Sequence, residues 1–308
     1  MDKRRIIFDS DLLGDDLLAL RALARDPRIE LVAVTSYGRR TTALERARMA
    51  QLLLEEYGAD SVTIVPGSSR PLMQEPLRGC TFCDDQMTSK RNEWNAGRNW
   101  KNRLREDIHA SIYIAEATKR EKGLTLLCTG PLTNIATAVL LDPDIPNRID
   151  ELVMMGGLRT ARGNNTPVAE ANMNNDPEAA SIVFSRFPRI KVIPLDITLK
   201  VTIDDRDREQ LNDPFLASIA KACCNAHIAK GQGSIMPLHD WLAYLALVND
   251  SLFHYEESHI EIDTSHSSAR GMMMITPTEG GQHLYAYDVD AARAKEIFME
   301  TFRSDAWN

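Results

Sequence analysis

The stretch Ile6-Ile7-Phe8-Asp9-Ser10-Asp11-Leu12-Leu13-Gly14-Asp15-Asp16 restricts this chain more than any other. Three apolar residues, two of them β-branched, predict a short buried strand. Four aspartates follow within eight positions, and Leu17, Leu18, Leu20 and Leu23 then begin a helical pattern. In an open α/β sheet, ligands bind beyond the carboxyl ends of the strands, so this acidic turn is a candidate site. Carboxylates this close repel one another and take up protons unless a cation sits among them. Aspartate oxygens with no His or Cys beside them point to a hard ion, Ca²⁺ or Mg²⁺, rather than zinc. A helix N-cap accounts for one or two of these acids and leaves the others unexplained.

The same alternation continues. Ile29 to Thr35 predicts a second strand, Ala43 to Tyr57 a helix ended by Gly58, and Val62 to Val65 a third strand. This βαβαβ order predicts a mostly parallel sheet. Ser68 to Asn102 shows no clear period, and a stretch of that length reads as a functional loop or lid or a short disordered region, with Trp94 and Trp100 able to cover an aromatic ligand or to pack the loop down. Helix is predicted again over 103–121, and strands over Leu124–Cys128, Glu151–Met155 and Ile190–Leu195, the last ending at Asp196. Asp176 precedes a helix that starts near Pro177. Beyond Asp204 the pattern is mainly helical, with His239-Asp240 opening a helix through Val248. Ser258–Asp263, Met272–Thr276 and His283–Asp288 predict strands, with Gly280-Gly281 in a hairpin turn, and Ala291–Phe302 a final helix. The expected fold is therefore α/β: an open, mostly parallel Rossmann-like sheet flanked by helices, with extra C-terminal helices and a small β-hairpin. With no linker and no internal repeat, residues 1–308 are expected to form a single domain.

Composition excludes several classes. A formal charge of −8 without a basic run argues against a nucleic-acid surface. Apolar runs such as Leu152-Val153-Met154-Met155 are too short to span a bilayer. Only three apolar residues follow the charged Met1–Arg5 before Asp9, so no signal-peptide core is expected and the expected location is cytoplasmic. Five cysteines suggest free thiols in a reducing compartment. Cys80 and Cys83 have the spacing of a metal or redox pair, but a zinc site would need Cys223, Cys224 and His227 as its other half, and ordinary loop thiols fit better.

Three polar groups are expected at one sheet edge: the aspartate turn, the Thr129–Asn134 turn and the Glu170/Asn172 loop, with His239-Asp240 able to join them. Their order along the chain resembles that of the inosine-uridine nucleoside hydrolase family. The family's Asp-x-Asp-x-x-x-Asp-Asp opening appears as Asp9, Asp11, Asp15 and Asp16, and its Thr-Gly-x-Leu-Thr-Asn turn as Thr129 to Asn134. Met155-Gly156-Gly157, Gly163-Asn164, Glu170-Ala171-Asn172, Asp176-Pro177-Glu178-Ala179 and His239-Asp240 follow in the family's order. Each motif is short, but the ordered set is specific.

The resemblance implies roles. Asp11, Asp16, Asp240 and the backbone carbonyl of Thr129 would hold a Ca²⁺, and the ion with Asp11 would bind and deprotonate a water. Asp15 and Asp240 would hold the ribose 2′- and 3′-hydroxyls, Asn164, Glu170 and Asn172 would address the 5′ side, and His239 would help protonate the departing base. It implies hydrolysis of the N-glycosidic bond of a small-molecule nucleoside, with no nucleic-acid or membrane partner, by a homodimer or homotetramer. The chain departs from the pattern at Arg39, where the family carries Asn after its second strand. A guanidinium there either reads an anionic or oxygen-rich group at the pocket mouth or turns into solvent. Two alternatives share parts of the pattern: a nucleoside- or ribose-binding relative without turnover, and a haloacid-dehalogenase-like phosphotransferase, whose late Gly-Asp-Gly motif is not found here.

Overall fold

A computed structural model describes residues 3–73, 103–229, 231 and 233–303. Its frame is a nine-stranded sheet in the order β10-β9-β11-β6-β5-β4-β1-β2-β3. The strands are β1 Arg4–Ser10, β2 Ile29–Ser36, β3 Thr63–Pro66, β4 Leu124–Cys128, β5 Glu151–Met155, β6 Lys191–Ile193, β9 Phe253–Ile262, β10 Met273–Pro277 and β11 His283–Val289. A separate antiparallel pair joins β7 Thr202–Asp204 to β8 Ile235–Pro237. The large sheet is parallel from β11 through β3 and antiparallel only where β9 meets β10 and β11.

Strand alternation builds two cores, one on each face. Ile6 and Phe8 of β1 join the cluster under the helices Asp16–Arg25, Ala43–Glu56, His239–Val248 and Ala291–Arg303. Ile7 points to the opposite face, toward Ala110–Arg120, Thr133–Leu141 and Pro177–Arg186. All three β1 side chains are fully buried, each contributing about 1.5–3 kcal/mol. A strand buried on both faces reads as a continuous apolar run, which is why β1 and β4 are legible in the sequence.

The chain builds β1, β2 and β3 outward on one side, then crosses back to place β4 on the other side of β1. That reversal opens a crevice beyond the carboxyl ends of β1 and β4. Gly130 lets the two turns approach closely, since a Cβ there would lie 2.7 Å from the Asp11 backbone nitrogen.

Several expectations need correction. The Gly280-Gly281 turn does not close a hairpin: β10 and β11 flank β9 on opposite sides, each pairing with it. The helix expected over 103–121 begins at Ala110, where the His109 ring accepts the Ser111 backbone N–H as its cap, and Leu104 instead bridges to Ile64. The Ile190–Leu195 strand stops at Ile193, because Pro194 starts the short helix Leu195–Thr198. Strands β7 and β8 were hidden by their length, three residues each, too short to show a period. The Cys80/Cys83 pair and Trp94 and Trp100 lie outside the described residues.

Candidate active site

Asp9 is not part of the acidic turn. It ends β1 as a fully buried side chain, with Oδ1 accepting from Thr35 Oγ1 at 2.6 Å and Asn134 Nδ2 at 2.8 Å. Asn134 also donates to the Ser36 carbonyl and accepts the Ser68 backbone N–H, so one amide ties β1, β2 and the segment after β3 together. Burial pushes the Asp9 carboxyl up to about 6, against those two hydrogen bonds. The chain then turns sharply through Leu12, at φ 52°, the single non-glycine with positive φ among the described residues. Backbone strain of this kind concentrates at ligand sites.

Beyond the turn, Asp16 opens the helix Asp16–Arg25. Its Oδ1 accepts from Ser10 Oγ at 2.6 Å and Thr129 Oγ1 at 2.5 Å, and its Oδ2 accepts the Leu13 backbone N–H at 2.8 Å. Asp15 accepts the backbone N–H of Asp240 at 2.9 Å. Burial raises Asp15 to about 6. Burial and then the Asp15 charge raise Asp16 to about 6. Asp240 is pushed well above the carboxylate range by burial and by the charges of Asp15, Asp16 and Asp11.

The second wall comes from β5. Gly157, in the left-handed region at φ 74°, presents its N–H to Glu170 Oε2 at 3.0 Å. Glu170 also accepts the N–H groups of Asn172 and Met173, capping the helix Ala171–Asn175, and burial raises its pKa against these bonds. Asn172 Nδ2 donates to the Thr129 carbonyl at 3.0 Å and to the Met155 carbonyl at 3.2 Å. Asn164 Oδ1 accepts the Ala171 N–H at 2.9 Å. On the third wall, His239 Nδ1 lies 2.6 Å from Thr198 Oγ1.

Asp11, Asp15, Asp16, Thr129, Asn164, Glu170, Asn172, His239 and Asp240, the whole set singled out from the sequence, line one cavity of about 170 Å³. Sequence reasoning missed Ala226, Met236 and Pro237 as site residues and considered Cys223 and His227 only as zinc candidates; with Leu13, Gly14, Met155 and Ala171 they complete the lining. Asn164, His227 and His239 also border a larger neighbouring cavity of about 660 Å³. Arg39 is not in the lining. It is half-buried and its Nη1 donates to Asn175 Oδ1 at 2.7 Å, so it neither enters this cavity nor extends into solvent.

The donor set suits a hard dication. Carboxylate and carbonyl oxygens are prominent in the lining, and burial together with mutual repulsion raises Asp16 and Asp240, a penalty that a cation relieves. Among the described residues no three His, Cys, Asp or Glu side chains form a ready-made metal-holding group. Both oxygens of Asp16 accept from hydroxyl and amide donors.

The chain is similar to known proteins along most of its length. The family model described as inosine-uridine preferring nucleoside hydrolase matches residues 6–296. The inosine-uridine preferring nucleoside hydrolase of Crithidia fasciculata is 30% identical over 276 residues, covering 87% of this chain and 86% of that protein. A probable uridine nucleosidase 2 of Oryza sativa subsp. japonica is 28% identical, covering 85% and 79% respectively. The solved purine-preferring ribonucleoside hydrolase from Gardnerella vaginalis superposes with a TM-score of 0.86 at 26% identity, over 97% of this chain and 98% of that one. Their names point to different bases, so membership defines the bond cleaved and leaves the base open. A match of this extent also sets aside the phosphotransferase alternative. The chain belongs to the inosine-uridine preferring nucleoside hydrolase family.

Proposed function

We propose that this chain hydrolyses the N-glycosidic bond of ribonucleosides in a Ca²⁺-dependent reaction, giving free base and ribose. As a nucleoside hydrolase it is a glycosidase acting on N-glycosyl compounds, and its substrates are small-molecule nucleosides. The observation that supports the finer reading is the gathering of carboxylates, amides and an imidazole from four distant chain segments around one cavity.

The family is generally metal-dependent. In this chain Asp11, Asp16, Asp240 and the Thr129 carbonyl would hold the ion, and their all-oxygen chemistry favours Ca²⁺. A dication bound there supplies the charge that keeps these carboxylates ionised and acidifies nearby water.

The remaining steps belong to the side chains. Asp11 takes the proton from the attacking water. Asp15 and Asp240 accept hydrogen bonds from the ribose 2′- and 3′-hydroxyls, while Asn164, Glu170 and Asn172 hold the 5′ side. As the bond to the base lengthens, positive charge grows on the sugar, and this ring of oxygens stabilises it. His239 donates a proton to the departing base, which is otherwise a poor leaving group.

A panel of purine and pyrimidine ribonucleosides, incubated with Ca²⁺ or with chelator and read for released base and for reducing sugar, tests this reading. Release of both products that stops on chelation is expected. Nucleoside binding without either product would replace hydrolysis by a binding role.

A further inference from the structure

The four-residue helix Leu195–Thr198 contacts His239 and the segment leading to Asn164 through two side chains the reaction itself does not use. Thr198 is fully buried, and its hydroxyl lies 2.6 Å from His239 Nδ1. Two residues earlier, Asp196 accepts the backbone N–H groups of Arg159 at 2.8 Å, Thr160 at 2.7 Å and Ala161 at 2.9 Å. It also accepts the Thr160 hydroxyl at 2.5 Å and the Tyr285 hydroxyl at 3.0 Å. Burial pushes the Asp196 carboxyl up, but these donors outweigh it and hold the group below its usual value, so it stays an anion.

We propose that this short helix is the positioning element of the site: Thr198 fixes the ring of His239, and Asp196 anchors the loop that carries Asn164. The geometry behind the first half is a ring with one nitrogen committed to a buried hydroxyl. A fixed hydrogen bond at Nδ1 selects the tautomer and the ring plane, which decides what Nε2 presents to a ligand. Behind the second half is the spacing. Arg159, Thr160 and Ala161 are pinned to one carboxylate, and the chain reaches Asn164 three residues later through a turn closed by Gly163 N–H to the Pro167 carbonyl. Asp196 and Thr198 are thus positioning residues for two different parts of the site, set on one turn between β6 and β7.

What His239 and Asn164 meet there rests on the nucleoside-hydrolase reading, but their positioning has a readout that does not. In protein carrying ¹⁵N-labelled histidine at alkaline pH, the His239 ring nitrogens report the tautomer, with His239→Gln assigning the signal. A single tautomer is expected in the parent protein and in Thr198→Ser, and a mixture in Thr198→Val. An unchanged tautomer in Thr198→Val overturns the Thr198 role, whatever the enzyme hydrolyses.

Kinetics then separate the two halves. Thr198→Val should lower kcat for inosine and uridine about 10-fold or more, part of the roughly 10²–10⁴ that a well-placed proton donor contributes. It should spare p-nitrophenyl β-D-ribofuranoside, whose leaving group needs no proton, and Thr198→Ser should restore the loss. Equal loss on both substrates, or none, overturns the assignment. Asp196→Asn should instead raise KM for both substrates alike, since they share the ribose, and Thr160→Val should do so more weakly if Asp196→Asn does not fold. An unchanged KM in whichever of these variants folds overturns the loop-anchoring role. A parent protein that cleaves neither substrate but shows the single tautomer defeats the hydrolase reading and leaves the Thr198 role standing.

Discussion

The Asp15 carboxylate accepts the backbone N–H of Asp240 at 2.9 Å, across 225 positions of sequence. The helix His239–Val248 has no capping side chain of its own at Leu238, so Asp15 supplies that cap from the far end of the chain. One carboxylate therefore faces the cavity and holds in place the helix that delivers His239 and Asp240. Asp15→Ala is expected to lose both functions: about 1 kcal/mol of stability, the usual worth of a cap, together with a large fall in kcat/KM. Asp15→Asn keeps an acceptor oxygen. It should retain most of the melting temperature while losing activity. Thermal unfolding and steady-state kinetics on the two variants separate the roles, and a melting temperature equally low in both would remove the capping account.

Asp16 is held by three donors, Ser10, Thr129 and Leu13. Replacing it by Ala strands two buried hydroxyls and removes a proposed ion ligand. Bound calcium, measured by elemental analysis after gel filtration, should fall to background in Asp16→Ala, with a stability loss of about 1–3 kcal/mol for the unsatisfied groups. Full calcium occupancy in a folded Asp16→Ala protein would displace Asp16 from the ligand set.

Asp11→Asn tests the proposed base. The amide still offers an oxygen but cannot take a proton from water. The expected loss in kcat is about 10²–10⁴, with KM changed far less. A near-parental kcat would move the proton-accepting role to another group.

His283 offers a pH test away from the site. It is fully buried on β11, edge-on to Phe184 with ring centroids 5.1 Å apart. Burial depresses its pKa from 6.5 to about 4. Below 6.5 the unfolded chain takes up a proton that the folded chain refuses, so stability is complete above that pH and drains away as pH falls toward 4. The loss is about 3 kcal/mol at most over that window. Denaturant midpoints measured from pH 4 to 7 should show a shallower slope in His283→Leu than in the parent. Identical slopes would mean that other groups carry the acid sensitivity.

Most of the site was legible because polar residues at strand ends stand out against apolar runs: Asp11 after Ile6-Ile7-Phe8, Thr129 after Leu124–Cys128, Gly156-Gly157 after Glu151–Met155. The spacing did not distinguish Asp9 from its neighbours. A buried strand-end aspartate and a site aspartate look alike in sequence, and only the Thr35 and Asn134 contacts separate them. Thr198 and Asp196 were unreadable for a related reason. Their partners, His239 and residues 159–161, are brought to them by the fold and not by any local period. The C-terminal strands were found but mispaired, since Gly280-Gly281 looks like a hairpin turn whether its flanking strands pair with each other or with β9.

Arg39, read from the sequence as a departure from the family pattern, sits where a structural task is favoured. Its Nη1 donates to Asn175 Oδ1 at 2.7 Å, at the end of the helix that begins Ala171-Asn172. The β2 loop is thereby tied to the element that places Asn172 over the Thr129 carbonyl. A substrate-reading guanidinium and a tether make opposite forecasts for Arg39→Asn. As a tether, the substitution loosens the Asn172 helix, raises KM by a similar factor for every riboside tested, and lowers the melting temperature modestly, the charge-assisted bond being worth about 1.5–3 kcal/mol. As a reader of anions, it would lower kcat/KM for a charged riboside alone. Uniform loss across neutral and anionic ribosides is the expected result, and a loss confined to the anionic ones would return Arg39 to the pocket mouth.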